Sequence, residues 1–294
     1  MNATCLKQLD RAVGLASRPR ILKFLAQPRQ LGRSKLLELL ARGKSGGMPS
    51  LAKTFWNQPM HVMLPERVSL TLSRYGFFEA ELTRAFIRLI HPGMVFFDVG
   101  AHIGYFSLLA SELVGAKGRV HAFEPTPSTF SLLRRNTELK SNVTSVNAAV
   151  YSTEGPLQLQ DFGVTFSAFN SVYSGKMQPD ERSGLHVRGY TAMAITLSQY
   201  IAATQVKPDV IKIDAEGAEL SILAGLEAAL TTFRPILTLE VGDTAMASDI
   251  PQSRPVVDWL IAHNYYPTEL IEGEFVPHKL SDTYQYTNLI CFPR

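Results

Sequence analysis

The chain has little cysteine and no long apolar run. Its two cysteines, Cys5 and Cys291, lie near opposite ends of the 294 residues, which argues against a disulfide framework or a structural zinc site. No segment approaches the roughly 20 apolar residues that a membrane-spanning helix needs, and the first residues lack the apolar core of a signal peptide. These absences predict a cytoplasmic protein in a reducing compartment.

Charged residues make up only 19% of the chain, and the net charge of +3 hides an uneven distribution. Residues 1–60 contain eleven Lys or Arg but only two acids, Asp10 and Glu38, so this segment carries +9 and the rest of the chain carries −6. We predict a basic N-terminal helical arm over residues 1–60 and a main domain over residues 61–294. Apolar residues recur in the arm at helical spacing: Ile21, Phe24 and Leu25, then Leu36, Leu39 and Leu40.

Two roles are open for this arm. The first, which we favour, is a solvated arm that packs on the main domain or on a second subunit of an oligomer. The second is peripheral contact with an anionic lipid surface, or with a lipid-linked acceptor, at the inner face of the membrane. Nucleic acid is disfavoured as a partner, because the main domain is net negative and contains no aromatic-basic RNA motif.

The main domain alternates strand and helix patterns from residue 76 onward. Apolar runs predict strands over residues 94–99, 119–123, 143–150, 210–213 and 235–241. Helical patterns follow over residues 105–114, 128–139, 218–230 and 256–263. Repeated β-α units of this kind predict a doubly wound α/β sheet whose strands are mostly parallel.

Two other segments depart from that alternation. Residues 151–195 are less regular and predict a hairpin or a lid. Residues 265–271 and 286–292 are β-rich and have no helix pattern between them, so they predict a terminal hairpin. The hairpin would give the sheet one antiparallel strand at its end.

The sharpest motif is a glycine loop after the first main-domain strand, Asp98-Val-Gly-Ala-His-Ile-Gly104. Gly100 permits a tight turn, and Gly104 lets the following helix begin close against the strand. The next strand ends in Glu124, twenty residues after Gly104, where a carboxylate can accept hydrogen bonds from a ribose diol. Together these features predict that a nucleoside lies across the strand ends.

Asp98 narrows the choice of nucleoside. Dinucleotide folds usually show G-x-G-x-x-G, whereas this loop has D-x-G-x-x-x-G, and Asp98 would repel a pyrophosphate. An acid beside the turn suits a ligand with a positive end. S-adenosylmethionine carries an ammonium, a sulfonium and a ribose, and it is the predicted cofactor. The alternative, that Asp98 only stabilises the loop, is less favoured because Glu124 accompanies it.

Further blocks occur in order over about residues 75–292: Tyr75-Gly-Phe-Phe-Glu79, Pro92-Gly93, FDVGAHIGYFSLLA (97–110), VHAFEPTPSTFSLLRRN (120–136), Ala148-Ala149, IKIDAEGAELSILAGLEAAL (211–230), Pro235 and Glu240. Together they resemble the FkbM-type S-adenosylmethionine-dependent methyltransferases. The block IKIDAEGAE is the most family-specific of them. The family loop usually has G-A-N, and His102 replaces that asparagine here.

The resemblance implies a Rossmann-like class I methyltransferase sheet of seven strands, the last one antiparallel. It implies O-methylation of a hydroxyl on a saccharide or glycolipid-like acceptor or, alternatively, on a polyketide or peptide natural product. A third hypothesis follows from the basic arm, namely a non-catalytic membrane- or nucleic-acid-binding protein with a vestigial cofactor pocket. The predicted cofactor contacts are Glu79, Asp98, Gly100, Ala101, His102, Gly104, Glu124, Ala148 and Asp214.

Four residues are candidates for catalysis: Asp214, Glu216, Lys212 and His102. Asp214 ends the fourth strand at the switch point of the sheet, where it could accept the proton of an acceptor hydroxyl or orient the sulfonium. Lys212 shares its side of the strand, and His102 is the only histidine within a motif. Asp214, Glu216 and Glu240 would suit Mg²⁺, but we expect a metal-independent enzyme.

Overall fold

The computed structural model describes residues 2–42, 44, 46–172, 187–243 and 252–294. These residues group into two compact units. The first comprises the chain up to Leu89 together with Phe162–Ala168, and the second comprises Ile90–Asp161 and the described part of Phe169–Arg294. Part of the segment that was predicted to form a hairpin or lid, residues 173–186, lies outside the described residues.

The first unit combines helices with one β-hairpin. Its hairpin pairs two antiparallel strands, β1 (Met48–Lys53) and β2 (Pro59–Leu64). Its helices are α1 (Asn2–Ala16), α2 (Arg20–Ala26), α3 (Pro28–Arg42), α4 (Arg67–Tyr75) and α5 (Ala80–Leu89). The basic arm is therefore helical over α1 to α3, as predicted. The predicted boundary at residue 60 falls inside β2, and the compact unit continues to Leu89.

A buried glutamate fixes the start of α4. The Glu66 side chain accepts hydrogen bonds from the amides of Val68 and Ser69 at 2.7 and 2.6 Å, which satisfies two donors that the first helical turn leaves without partners. The helix ends at Gly76, whose φ of 75° closes the last turn in the left-handed region. Sequence-local capping thus sets both ends of this helix.

The second unit is an α/β fold with two sheets. Its helices are α6 (Tyr105–Val114), α7 (Pro127–Thr137), α8 (Leu197–Thr204), α9 (Glu219–Leu226) and α10 (Arg254–Ala262). Its strands are β3 (Val95–Val99), β4 (Arg119–Phe123), β5 (Val143–Val146), β6 (Ala149–Val150), β7 (Gly155–Asp161), β8 (Arg188–Ile195), β9 (Val210–Ile213), β10 (Ile236–Val241), β11 (Tyr265–Ile271), β12 (Glu274–Pro277) and β13 (Thr287–Pro293).

The main sheet has the order β12-β11-β13-β10-β9-β3-β4-β5. The strands from β10 through β5 are parallel to their neighbours, whereas β13 is antiparallel to both β10 and β11. The doubly wound class I methyltransferase arrangement and its antiparallel last strand are therefore confirmed.

The predicted count of seven strands is corrected to eight in the described residues. The additional strand, β12, folds back on β11 through Glu272-Gly273, whose φ values of 49° and 85° are both positive. A two-residue turn with this backbone joins antiparallel strands without splaying them, so β11 can extend the sheet by one edge strand.

A small second sheet has the order β6-β8-β7. Strands β7 and β8 pair antiparallel, which confirms the hairpin among the two predictions for residues 151–195. The prediction of a single strand over residues 143–150 was wrong. The strand is interrupted at Asn147 and Ala148, and the residues after them, β6, pair with β8 in this second sheet.

The core of the second unit lies on both faces of the central strands. All four residues of β9 are buried, as expected for a parallel strand covered by helices on both sides. Phe97, Leu223, Leu237 and Val257 are fully buried members of one extensive apolar cluster. Within the described part of the chain, no helix is long and apolar enough to cross a membrane.

At the end of β3 the backbone passes very close to the end of β9. Gly100 has a φ of 72°, and a Cβ atom there would overlap the backbone carbonyl oxygen of Asp214. Gly93 offers a matched comparison in the same unit, because its φ is 90° but no atom lies within 4 Å of the position of its Cβ.

We expect Gly100→Ala to destabilise the second unit by at least about 2 kcal/mol more than Gly93→Ala, because only Gly100→Ala adds a backbone overlap to the left-handed strain. Urea unfolding, followed by circular dichroism, measures the difference. Equal losses of unfolding free energy in the two variants would contradict the close approach.

Candidate active site at the carboxyl edge of the sheet

The carboxyl ends of three neighbouring strands, β3, β4 and β9, meet at the glycine loop. The amides of Gly100 and Ala101 both donate to the carbonyl oxygen of Phe123 at 3.1 and 2.9 Å. The amide of Asp214 donates to the last residue of β3 at 3.2 Å. Main-chain hydrogen bonds therefore hold the loop to the strands on either side of it, which places Gly100, Glu124 and Asp214 along one edge.

Gly104 closes the loop and begins α6. Its φ is 90°, and a Cβ atom there would lie 2.7 Å from Cδ1 of Leu133 on α7. The absent side chain thus permits α6 to start close to α7. The sequence had predicted that Gly104 makes room for the strand, whereas the atoms nearest its Cβ position belong to α7.

Glu124 is buried at the tip of β4, with 6% of its surface exposed. Its Oε2 accepts the amide of His102 at 3.0 Å and its Oε1 accepts the amide of Thr126 at 2.9 Å. A carboxylate has about four acceptor positions, so roughly two are left for the hydroxyls of a ligand. Burial raises the pKa of Glu124, and the adjacent His102 and Thr126 partly offset that effect.

A polar group that was not predicted surrounds Glu124. Thr126 Oγ1 lies 2.9 Å from the hydroxyl of Tyr190, and Asn170 Nδ2 donates to the same Oγ1 at 3.3 Å. Asn147 Nδ2 donates to the carbonyl oxygen of Glu124 at 2.8 Å. Asn147 could have been found, because it directly follows the strand beside β4; Tyr190 and Asn170 come from a segment without a recognisable motif.

Lys212 is the buried charge at the centre of the edge, with a side chain that is 3% exposed. Its Nζ lies 3.4 Å from Asp98 Oδ1 and 3.2 Å from Asp214 Oδ2, and it donates to the carbonyl oxygen of Gly100 at 3.3 Å. It also lies 5.4 Å from the centre of the Phe106 ring. One ammonium therefore holds two of the predicted acids and the loop.

Asp98 is completely buried, and its Oδ1 has no hydrogen-bond partner among the described residues. Its Oδ2 accepts the hydroxyl of Ser107 at 2.6 Å, and its Oδ1 faces Lys212. Its predicted contact with the ammonium of a ligand stays a prediction. Ser107 was missed by sequence reasoning, although its place in the first turn of α6, three residues after Gly104, was a usable signal.

Three carboxylates gather after β9 and β10. Asp214, Glu216 and Glu240 each offer an oxygen, and these atoms lie within 4.8 Å of one another. The Asp214 side chain is 28% exposed, so it is accessible to a ligand while Lys212 holds its other side. Glu216 has a φ of 51°, and its carbonyl oxygen accepts the hydroxyl of Ser171 at 2.8 Å.

Glu219 has a structural role at the same loop. Its Oε1 accepts the amides of Ala215 and Gly217, each at 3.2 Å. A carboxylate in this position also complements the positive end of α9. The loop from Asp214 to the start of α9 is thereby fixed by a residue on the helix itself.

Other predicted residues are placed as follows. His102 adopts a φ of 51° and binds Glu124 through its backbone amide, and its predicted role as a base stays a prediction. Ala148 is 5% exposed and lies directly before β6. Glu79 belongs to the first unit, where it precedes α5 with a φ of 41°. His121 lies in the core, where burial lowers its pKa to about 4.

The chemistry of this edge suits a ligand that is rich in hydrogen-bond donors and carries positive charge. Its loop offers little side-chain bulk, and several carboxylates flank it. A pyrophosphate would meet those negative charges at close range. Carboxylate oxygens beside a loop with small side chains instead fit a ribose, an ammonium or a sulfonium.

Comparison with known proteins supports this interpretation. The sequence model of the family described as "Methyltransferase FkbM domain" matches residues 98–266. The chain is 31% identical over 163 residues to 31-O-demethyl-FK506 methyltransferase FkbM of Streptomyces tacrolimicus, covering 48% of this chain and 62% of the relative. It is 27% identical over 155 residues to hexuronic acid methyltransferase AglP of Haloferax volcanii, covering 52% of this chain and 58% of the relative.

The matched regions thus span about three fifths of the length of each of these two relatives. Among solved structures, a methyltransferase FkbM from Methylobacillus flagellatus KT aligns with a TM-score of 0.42 and 17% sequence identity. That alignment covers 76% of this chain and 54% of the other.

The family match covers more than half of the chain and begins at Asp98 of the glycine loop. It includes the strands and loops that carry Glu124, Lys212 and Asp214. The chain therefore belongs to the FkbM methyltransferase domain family.

Proposed function

We propose that this protein transfers a methyl group from S-adenosylmethionine to a hydroxyl of a saccharide or glycolipid-like acceptor. The observation that carries the proposal is the buried carboxylate of Glu124, held by the amides of His102 and Thr126 beside a loop without side-chain bulk. Family membership supports methyl transfer as the reaction class.

The residues present fit this cofactor. The free acceptor positions of Glu124 suit the two ribose hydroxyls. The loop residues Gly100, Ala101, His102 and Gly104 would line the methionine portion. Ala148, beyond β5, would border the adenine. Asp98 and Asp214 complete the proposed contacts, Asp98 acting through Lys212. The contact predicted for Glu79, in the first unit, stays a prediction.

The chain's own contribution to the reaction is to position the acceptor and receive a proton. Bound S-adenosylmethionine would supply an electrophilic methyl group on its sulfonium. We assign Asp214 as the group that accepts the proton of the acceptor hydroxyl, because its carboxylate is partly exposed and Lys212 holds it at 3.2 Å. Glu216 lies beside it, and His102 is a second candidate for the base.

The site supplies positive charge without a metal. Lys212 already faces Asp98 and Asp214, and carboxylates often gather at strand ends without binding an ion. Mg²⁺ on Asp214, Glu216 and Glu240 therefore forms no part of the proposal. Alignment of the acceptor can account for several kcal/mol of the barrier.

The nature of the acceptor separates two versions of this function. Similarity to a hexuronic acid methyltransferase favours a saccharide. Similarity to a methyltransferase of FK506 favours the alternative, a polyketide or peptide natural product. The third hypothesis, a non-catalytic protein with a vestigial pocket, is not adopted, because the loop, Glu124 and Asp214 are all in place.

Membrane contact through the arm belongs to the same proposal. No residue of α2 is buried, although its sequence is RILKFLA. The apolar residues that were predicted to recur at helical spacing are all at least half exposed: Ile21, Phe24, Leu25, Leu36, Leu39 and Leu40. Exposed apolar side chains on basic helices are the features of a surface that lies on anionic lipid.

We expect Glu124→Ala to weaken binding of S-adenosylhomocysteine at least tenfold, because it removes the acceptors of the ribose hydroxyls. Isothermal titration calorimetry measures the affinity. Glu138→Ala, which removes an exposed glutamate of the same unit, is the matched control and should bind like the parent. Thermal unfolding must show both variants folded. Undiminished binding by folded Glu124→Ala would refute the cofactor site.

The same site should show a pH dependence. Burial raises the pKa of Glu124, so its carboxylate takes up a proton above the ordinary value of 4.5. Affinity for S-adenosylhomocysteine should therefore fall on acidification, starting above pH 4.5, as acceptor capacity is lost. Because the folded pKa is raised, the charged form of Glu124 lowers stability at neutral pH, and its protonation relieves that cost. Glu124→Gln should bind with a flat pH profile over this range.

We expect Asp214→Asn to lower the turnover number by roughly 10²- to 10⁴-fold, because a positioned base contributes about that much. Methyl-labelled S-adenosylmethionine, supplied with uronic-acid and hexose oligosaccharides or with hydroxylated macrolides, identifies the acceptor class. Asp282→Asn changes a fully exposed aspartate and should retain activity. Unchanged turnover in Asp214→Asn would rule out its role as the base, and lost cofactor binding would instead assign it to the sulfonium.

For the arm, we expect the protein to float with vesicles that contain phosphatidylglycerol. Ile21→Ser combined with Leu25→Ser should reduce the floating fraction several-fold, because less apolar surface enters the lipid. Leu139→Ser, a change at a leucine that is 92% exposed in the second unit, should leave it unaltered. Unmodified protein that stays at the bottom of the gradient would refute membrane contact.

A further inference from the structure

The first unit contains a cavity of about 610 Å³ that no part of the proposed reaction uses. All of its lining residues belong to that unit, on or beside α1, α3, β1 and the end of α4. A volume of this size is within the range of sites that hold small organic ligands.

The charged residues that line the cavity are all basic. Arg11, Arg29, Arg33 and Lys53 line it, and its lining includes no acid from the described residues. All four residues are exposed. Several cations that face one space attract an anion to it.

The acids of the basic segment cannot neutralise these cations, because other partners hold them. The Glu38 carboxylate accepts hydrogen bonds from Arg42 at 2.7 Å and from Arg74 at 2.6 Å. Asp10 lies 2.5 Å from Arg84. None of the ion pairs formed within the described residues involves Arg11 or Arg33, so their charges are available to a ligand.

The floor of the cavity carries hydroxyl groups with unmet hydrogen-bonding capacity. Ser34 is 2% exposed, and both its Oγ and the buried Oγ of Ser73 lack a hydrogen-bond partner in the described part of the chain. Both serines line the cavity. A buried hydroxyl without a partner is costly. Neither oxygen is exposed to the cavity, so a ligand accepts from them only when the serine side chains rotate toward it.

Apolar residues form another part of the lining, beside polar ones that include Gln8, Gln30 and Asn57. Leu15, Leu37, Leu51, Phe55 and Tyr75 line the cavity next to the charged residues. A bare inorganic anion would leave this apolar part without contacts, whereas an organic anion would bury part of its body against it.

We propose that this cavity binds an organic phosphate, with the phosphate group at the arginines and the serine hydroxyls and an apolar body against the apolar part of the lining. Arginine recognises phosphate through paired, charge-assisted hydrogen bonds, and serine donates to the remaining oxygens. The site gives the +9 segment a specific ligand, in addition to any general attraction to anionic surfaces.

Isothermal titration calorimetry of the full chain with decyl phosphate, below its micelle concentration, tests the site. We expect one saturable site per chain. Arg33→Gln should weaken binding roughly tenfold, which is the loss of one charge-assisted contact. Arg18→Gln removes an equal charge from the same segment outside the cavity and should change the affinity less than about twofold.

A second variant separates binding from folding. Ser34→Ala removes the buried hydroxyl while filling nearly the same volume, so it should weaken decyl phosphate binding several-fold with an unchanged or raised melting temperature. None of these changes touches the sheet edge, and S-adenosylhomocysteine binding serves as the control for an intact second unit.

Three ligands assign the source of the phosphate. Tighter binding of decyl phosphate than of inorganic phosphate supports a lipid-like ligand, whereas equal binding would overturn the role given to the apolar part of the lining. Equal binding of decyl glucoside, which lacks the phosphate, would overturn the proposal. So would an equal loss in Arg33→Gln and Arg18→Gln, because it would indicate diffuse attraction only.

Discussion

The active edge depends on the ion pairs that the buried ammonium of Lys212 forms with Asp98 and Asp214. Lys212 stands on β9 directly opposite Asp98 on β3, and it also reaches Asp214 and the carbonyl oxygen of Gly100. One positive charge thus compensates acids from two neighbouring strands and fixes the loop between them. Removal of one partner from such a buried group would leave an uncompensated charge, which typically costs 3–5 kcal/mol. The positions of the loop and of the proposed base are therefore coupled to the stability of the sheet.

The two halves of the edge use different physical means for different tasks. On the β4 side, Glu124 is held by backbone amides, so its acceptor positions keep a fixed direction without a competing cation. On the β9 side, Asp214 is held by a cation and stays partly exposed. A rigid acceptor suits ligand binding, and an accessible carboxylate suits proton transfer. This difference is the basis for the separate roles proposed for the two acids.

Local patterns in the sequence were sufficient to predict most of the second unit, because its parallel strands are continuous apolar runs that end in polar residues. The loop, Glu124 and Asp214 follow the ends of their strands as predicted, and Lys212 lies within β9. Features that depend on pairing between distant segments were not predictable. Strand β12 depends on the backbone of the Glu272-Gly273 turn. The interruption between β5 and β6 at Asn147 arises because the two strands join different sheets. Tyr190 and Ser107 reach the site through side-chain packing, which leaves no periodic pattern.

The first unit is assembled from two separate stretches of chain, the residues up to Leu89 and the short segment Phe162–Ala168. A Cβ atom at Gly47 would lie 2.8 Å from Val164, which shows how closely the returning segment packs on the hairpin region. The polypeptide therefore crosses between the units three times. Such interleaved connectivity means that the basic segment is not an independent extension, because a truncated form would strip Phe162–Ala168 of its packing partners.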